Sequence, residues 1–145
     1  MLATDKNEIR KERHHITQED FTPDEIVKLM CNQFQDDTIY TDFSKTVLDP
    51  CAGTGNILLY VFNERLMHCK CSEDVYNALS TIYGTELMAD NVEECHERFM
   101  KRLQEIEGLD ENKIKSILEH NIVCTDTFDW DYENWKLMPK TNALF

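Results

Sequence analysis

The chain has 145 residues, enough for one domain with its own core and too few for two. Its 28 acidic residues outnumber 15 basic ones, for a formal net charge of −13. A surface that acidic repels phosphate, so the chain by itself is expected to bind nucleic acid poorly. The hydrophobic fraction of 41% exceeds that of disordered chains, and no apolar run reaches membrane-spanning length. The charged start from Met1 to His15 is unlike a secretory signal, which leads us to expect a cytoplasmic protein with no membrane association.

Residues 1–20 read as a polar arm in which Lys6 to His15 is the locally basic stretch, and residues 21–145 as the folded domain. Thr22-Pro23-Asp24-Glu25 predicts a helix start, with Thr22 as cap, Pro23 at the first helical position and Glu25 completing a capping box. Ile26, Val27, Met30, Cys31 and Phe34 then follow at helical spacing, predicting one buried face. Thr46 to Leu48 is a short apolar strand that runs into Asp49-Pro50-Cys51-Ala52-Gly53-Thr54-Gly55, and a helix is predicted from Asn56 to about Met67.

A further short helix opens at Ser72, and Thr81 to Thr85 is the second strand, closing on Glu86. Asp90 is placed to cap a long helix that buries Val92, Cys95, Phe99, Leu103 and Ile106, with Gly108 as its stop. Residues 110–119 read as helix and Asn121 to Cys124 as the third strand, ending at Thr125-Asp126. Strands alternating with helices predict an α/β fold with a parallel sheet and crossover helices, preceded by an N-terminal helix.

The six cysteines form no C-x-x-C pair, and His68-Cys69-Lys70-Cys71 is the one local cluster of metal-type ligands. A tetrahedral site needs more ligands than that, so no metal is assigned and the thiols are read as reduced.

A strand, a glycine loop and a helix set backbone N–H groups at a helix N-terminus against a polar or anionic ligand. Gly53 and Gly55 allow a tight turn and a close approach. Asp49 can accept a hydrogen bond from an ammonium group or anchor the loop. Glu86 ends the second strand, where a carboxylate can take both hydroxyls of a ribose. Asp126 ends the third, placed to accept the exocyclic amine of an adenine. Each has a plainer reading: a tight βα turn, a solvated strand end, and for Asp126 an acidic surface stretch with Asp129 and Asp131. Trp130, Tyr132 and Trp135 lack basic neighbours and read as a cover for the end of the core rather than as base-stacking groups.

Val47 to Leu58 resembles the cofactor loop of the N6-adenine DNA methyltransferases, which include the modification subunits of restriction systems. Phe21-Thr22-Pro23 before a helix resembles the upstream F-T-P motif, which in that family contacts the methionine part of the cofactor. Tyr83-Gly84-Thr85-Glu86-Leu87, with the helix through Asn91 and Arg98, resembles the ribose-binding strand and its helix, and Asp126-Thr127-Phe128 matches the adenine-contacting position. The resemblance runs over residues 18–130, in the family's order. It implies a partial Rossmann-like methyltransferase fold that binds S-adenosyl-L-methionine. The contacts it assigns are Phe21, Thr22, Pro23, Asp49, Pro50, Cys51, Ala52, Gly53, Thr54, Gly55, Asn56, Glu86, Leu87, Asp126 and Thr127.

Family members also carry Asp/Asn/Ser-Pro-Pro-Tyr/Phe after a fourth strand, where it holds the target amine and stacks on the flipped base. This chain has only Pro23, Pro50 and Pro139, with no Pro-Pro pair, and no target-recognition region. No catalytic residue is therefore assigned. The expectation is a cofactor-binding part, inactive alone, that meets DNA only through a partner. With no fourth strand beside it, the first strand would be an open apolar edge, so pairing with a second copy or another polypeptide is expected there. The rival expectation is a non-catalytic methyltransferase-like protein that binds a partner or regulates a modification system, in the manner of a phage or anti-restriction module.

Overall fold

The computed structural model describes residues 22–34 and 36–140, so Phe21 and the N-terminal arm lie outside the described residues. Helix α1, Asp24–Cys31, begins one residue later than the sequence suggests. Pro23 is the boundary residue, at φ −61° and ψ 150°, and its carbonyl accepts the Val27 N–H at 3.0 Å. Thr22 therefore does not cap, and no side-chain capping bond forms. The extended ψ of Pro23 ends the non-helical segment, and Asp24 and Glu25 instead favour the positive end of the helix dipole.

Only Val27 and Cys31 turn inward, toward the next helix. Ile26, Met30 and Phe34, expected on the buried face, are 42–48% exposed. A single neighbouring helix covers a narrow i, i+4 stripe and leaves the flanking apolar positions open.

A 3-10 turn at Asp37–Tyr40 leads to β1, Val47–Asp49, and then to α2, Asn56–Leu66. Helix α3, Ser72–Ser80, returns the chain to β2, Ile82–Glu86. Helices α4, Ala89–Gln104, and α5, Glu111–Asn121, lead on to β3, Ile122–Cys124. The three strands are parallel in the order β1-β2-β3, with Gly84 opposite Asp49 on one side and Ile122 on the other. Parallel neighbours require crossovers, and each crossover here holds two helices. Met88, not Asp90, is the boundary residue of α4, and Asp90 sits in its first turn. Gly108, at φ +82°, turns the chain after α4 has already ended at Gln104. Asp110 caps α5, its carboxylate accepting the N–H groups of Asn112 and Lys113.

Leu58, Phe62, Leu79, Ile82, Phe99, Leu103, Leu118 and Ile122 form the centre of the core, with the Phe62 and Phe99 rings 5.5 Å apart. Arg65 is fully buried beside them. Its guanidinium donates to the carbonyls of Ile39, Lys45 and Ala78 and to the Thr81 hydroxyl at 2.6–2.9 Å, which ties three chain segments to α2. Burial lowers its pKa from the ordinary value while the Asp42 charge opposes the shift.

Beyond β3 the chain forms a two-residue hairpin, β4 (Trp130–Asp131) against β5 (Lys136–Leu137), which the residue pattern does not announce. Trp135, at φ +51°, donates its indole N–H to the His120 carbonyl at 2.7 Å and packs against Tyr83, Trp130 and Tyr132. The aromatic residues thus cover the sheet face that carries Tyr83. No helix among the described residues is long and apolar enough to cross a membrane.

Candidate functional site

In an open parallel sheet, ligands are taken at the carboxyl ends of the strands, and the glycine loop lies there, between β1 and α2. Gly53 and Gly55 have φ of +56° and +91°, in the left-handed region where a side chain is strained. A Cβ on Gly55 would stand 2.5 Å from the Cys95 sulfur, and one on Gly84 would stand 2.8 Å from a Leu58 methyl. These two glycines let the loop press onto α4 and β2. The Ala52 N–H donates to the Thr85 carbonyl at 3.0 Å, and the Thr85 hydroxyl donates to the Pro50 carbonyl at 2.9 Å.

Asp49 ends β1 half-buried, its carboxylate accepting the Cys51 N–H at 3.0 Å. Burial pushes its pKa up, that hydrogen bond opposes the shift, and the nearby Glu86 charge adds to it. Among the described residues no basic side chain pairs with Asp49. Glu86 ends β2 half-buried, with one carboxylate oxygen accepting the Met88 N–H at 2.9 Å and the amide of the buried Asn91 at 3.1 Å. The Cys95 thiol beneath Gly55 is pushed up to about 12, chiefly by burial; Arg98 lowers it, while Asp49 and Glu86 raise it. Both acids and Arg98 therefore converge on one corner.

Arg98 reaches from α4 into the loop, donating to the Thr54 carbonyl at 2.8 Å and the Asn56 side-chain oxygen at 2.6 Å. The Asn56 amide nitrogen in turn donates to the Thr22 carbonyl at 2.7 Å. A slot of about 40 Å³ is lined by Thr22, Asp49, Cys51, Ala52, Gly53, Thr54, Asn56 and Ile57. It is far smaller than the several hundred Å³ usual for a cofactor cleft. The wider cleft of about 670 Å³ between α4 and α5, lined in part by Val92, His96, Met100 and Leu118, contains none of the loop residues.

Thr22, Asp49 and the loop thus meet in one slot, with Glu86 close enough to act on Asp49. Pro23 is exposed beside it and Leu87 is exposed beyond Glu86. Asp126 follows Thr125, whose N–H donates to the Glu86 carbonyl at 2.9 Å, and it does not line the slot. Its exposed carboxylate accepts the Phe128 N–H at 2.9 Å, and its carbonyl accepts the Asp129 N–H at 3.0 Å, a self-contained turn. Thr127 follows Asp126, its carbonyl accepting the Tyr132 hydroxyl at 2.9 Å. The resemblance placed Gly84, Thr85, Asn91 and Arg98 in the ribose-binding strand and its helix but named none of them as a contact. Asn91 and Arg98 lie seven apart on α4, so the available signal was two polar residues on the helix face directed at the loop.

A parallel sheet with a left-handed glycine turn and half-buried acids at its carboxyl edge defines the class as an α/β domain with a glycine-loop corner at the strand tips. The chain belongs to the N-6 DNA methylase family, whose pattern matches residues 10–137. No curated protein and no solved structure matches it.

Proposed function

We propose that this chain binds S-adenosyl-L-methionine at the β1–α2 corner, as the cofactor-holding part of an adenine-N6 DNA methyltransferase. The observation that carries the reading is Asp49, a half-buried carboxylate with no cationic partner among the described residues, next to a second acid and a left-handed glycine loop. Two nearby carboxylates disfavour a phosphate and favour a ligand with positive charge, which suits a sulfonium carrying an ammonium group better than a dinucleotide. When bound, such a cofactor supplies an electrophilic methyl group. Asp49 holds the amino-acid end or the loop, Glu86 takes the ribose hydroxyls, and the glycines admit the ligand to the backbone.

Residues 1–145 contain no Pro-Pro-aromatic motif to hold a target amine. Alone they are expected to bind the cofactor without transferring its methyl group. Calorimetry with S-adenosylmethionine, with adenosine diphosphate for comparison, tests the site. Tighter binding of the diphosphate would overturn the reading. A methyl-transfer assay on DNA, with and without a complementing polypeptide, tests the second half.

The net charge of −13 favours a second reading, a partner-binding or regulatory module that keeps the family fold. In both readings the partner site is the outer edge of β1, a strand paired only with β2 in the described sheet. Beside it, on the sheet face that carries Leu48 and Tyr83, a cleft of about 290 Å³ is lined also by Thr46, Tyr132, Glu133 and Trp135. The partner is a second copy or another polypeptide that extends the sheet. Light scattering after size exclusion checks the first option, and a clean monomer at micromolar concentration removes it.

A further inference from the structure

The Asn56 side chain was read above as one of the residues that contact the cofactor, yet its hydrogen bonds describe a different task. Its oxygen accepts from the Arg98 guanidinium at 2.6 Å, and its nitrogen donates to the Thr22 carbonyl at 2.7 Å. Arginine only donates and a carbonyl only accepts, so the amide has one orientation that satisfies both. The same Arg98 nitrogen also donates to the Thr54 carbonyl at 2.8 Å, in the loop between the two left-handed glycines. One side-chain relay therefore joins α4, the glycine loop and the segment that precedes α1.

No other hydrogen bond among the described residues joins Thr22 to the loop. Helix α1 is anchored farther along, by the buried Val27 and Cys31 and by the Tyr40 hydroxyl, which donates to the Cys31 carbonyl at 3.4 Å. Its first turn rests on the latch, while Thr22, Asp49 and the loop line one slot.

We infer that Asn56, oriented by Arg98, is a positioning residue that latches Thr22–Pro23 over the glycine loop and so sets the affinity for the amino-acid end of the ligand. This rests on the reading that the corner binds S-adenosylmethionine. The adenosine end, held from Glu86 on β2, does not depend on the latch.

The diagnostic change is Asn56→Asp, nearly the same shape. It keeps the acceptor for Arg98 and replaces the donor to Thr22 with a second acceptor facing a carbonyl. Calorimetry compares S-adenosylmethionine with 5′-methylthioadenosine, which lacks the amino-acid end. In Asn56→Asp, affinity for the first is expected to fall about tenfold, as for a lost hydrogen bond at a buried site, and for the second by less than about twofold. Arg98→Lys, which keeps one donor, is expected to fall between Asn56→Asp and wild type.

A second readout needs no ligand. Hydrogen exchange at the Val27 amide, which is bonded to the Pro23 carbonyl, should rise about tenfold in Asn56→Asp as the first turn loosens. Equal loss on both ligands, or unchanged Val27 exchange, overturns the latch. If wild type binds neither ligand, the proposed cofactor reading falls and Val27 exchange alone decides the latch.

Discussion

The tips of β1 and β3 each end in an aspartate, and the two are made differently. Asp49 is half-buried, its pKa is raised by desolvation and by Glu86, and the chain around it is braced by glycines, Thr85 and Arg98. Asp126 is exposed, with its carboxylate engaged by the N–H of Phe128 two residues on. The fold withholds part of the solvent from Asp49 and leaves Asp126 exposed. Both carboxylates accept the N–H two residues on, so exposure and the neighbouring acid, not that hydrogen bond, separate them.

Substitutions can break this contrast. The largest effect is expected at Gly55. Gly55→Ala must strain a φ of +91° and push a methyl toward the Cys95 sulfur, 2.5 Å away. A stability loss of about 3 kcal/mol is anticipated, visible as a thermal midpoint lower by about 10 °C. A midpoint within a degree or two of wild type would mean the loop is not pressed onto α4.

Next come the acids themselves. Asp49→Ala and Glu86→Ala are each expected to weaken S-adenosylmethionine binding by about tenfold or more, the cost of a hydrogen bond to a charged acceptor, about 1.5–3 kcal/mol. Unchanged affinity in both variants would remove the corner as the cofactor site.

Acid titration separates Asp49 by sign. Its folded-state pKa lies above the unfolded value of about 3.9, so between the two the native state binds more protons than the unfolded chain. Stability contributed by this group therefore falls as pH rises through that window and is level above it. Asp49→Asn removes the slope and retains the acceptor for the Cys51 N–H. Without ligand it should be at least as stable as wild type at pH 7, by chemical denaturation, while binding poorly.

Asp36 provides the opposite sign. Its hydrogen bonds to Lys45 and Thr38 hold its pKa down to about 2, so its contribution is present above the unfolded value and lost as pH falls toward 2. The smallest effect is expected at Asp126. Asp126→Ala should change cofactor affinity by less than about threefold and stability by less than about 1 kcal/mol, the range for an exposed turn residue. A tenfold loss of affinity there would restore Asp126 to the site and erase the contrast.

How much of this was legible varies with the range of the interactions. Helices α2, α3 and α5 follow from apolar spacing and from local starts such as Asp110. The glycine loop reads out because positive φ has a residue preference that can be seen in one short stretch. The hairpin at Trp130 to Leu137 does not, because its strands are two residues long and its aromatic rings find Tyr83 across 52 positions of chain between Tyr83 and Trp135.

By itself, the order of residues determined the α/β alternation, the glycine turn after the first strand, and the family to which the motifs belong. Each is encoded by neighbours a few positions apart, through periodicity, capping and backbone freedom. Tertiary structure alone decided how far each strand-tip acid is exposed, that α1 exposes most of its apolar residues, and that Asn56 spans Arg98 and the Thr22 carbonyl. Those outcomes depend on which side chain meets which carbonyl across tens of residues, and a backbone carbonyl leaves no mark in the sequence.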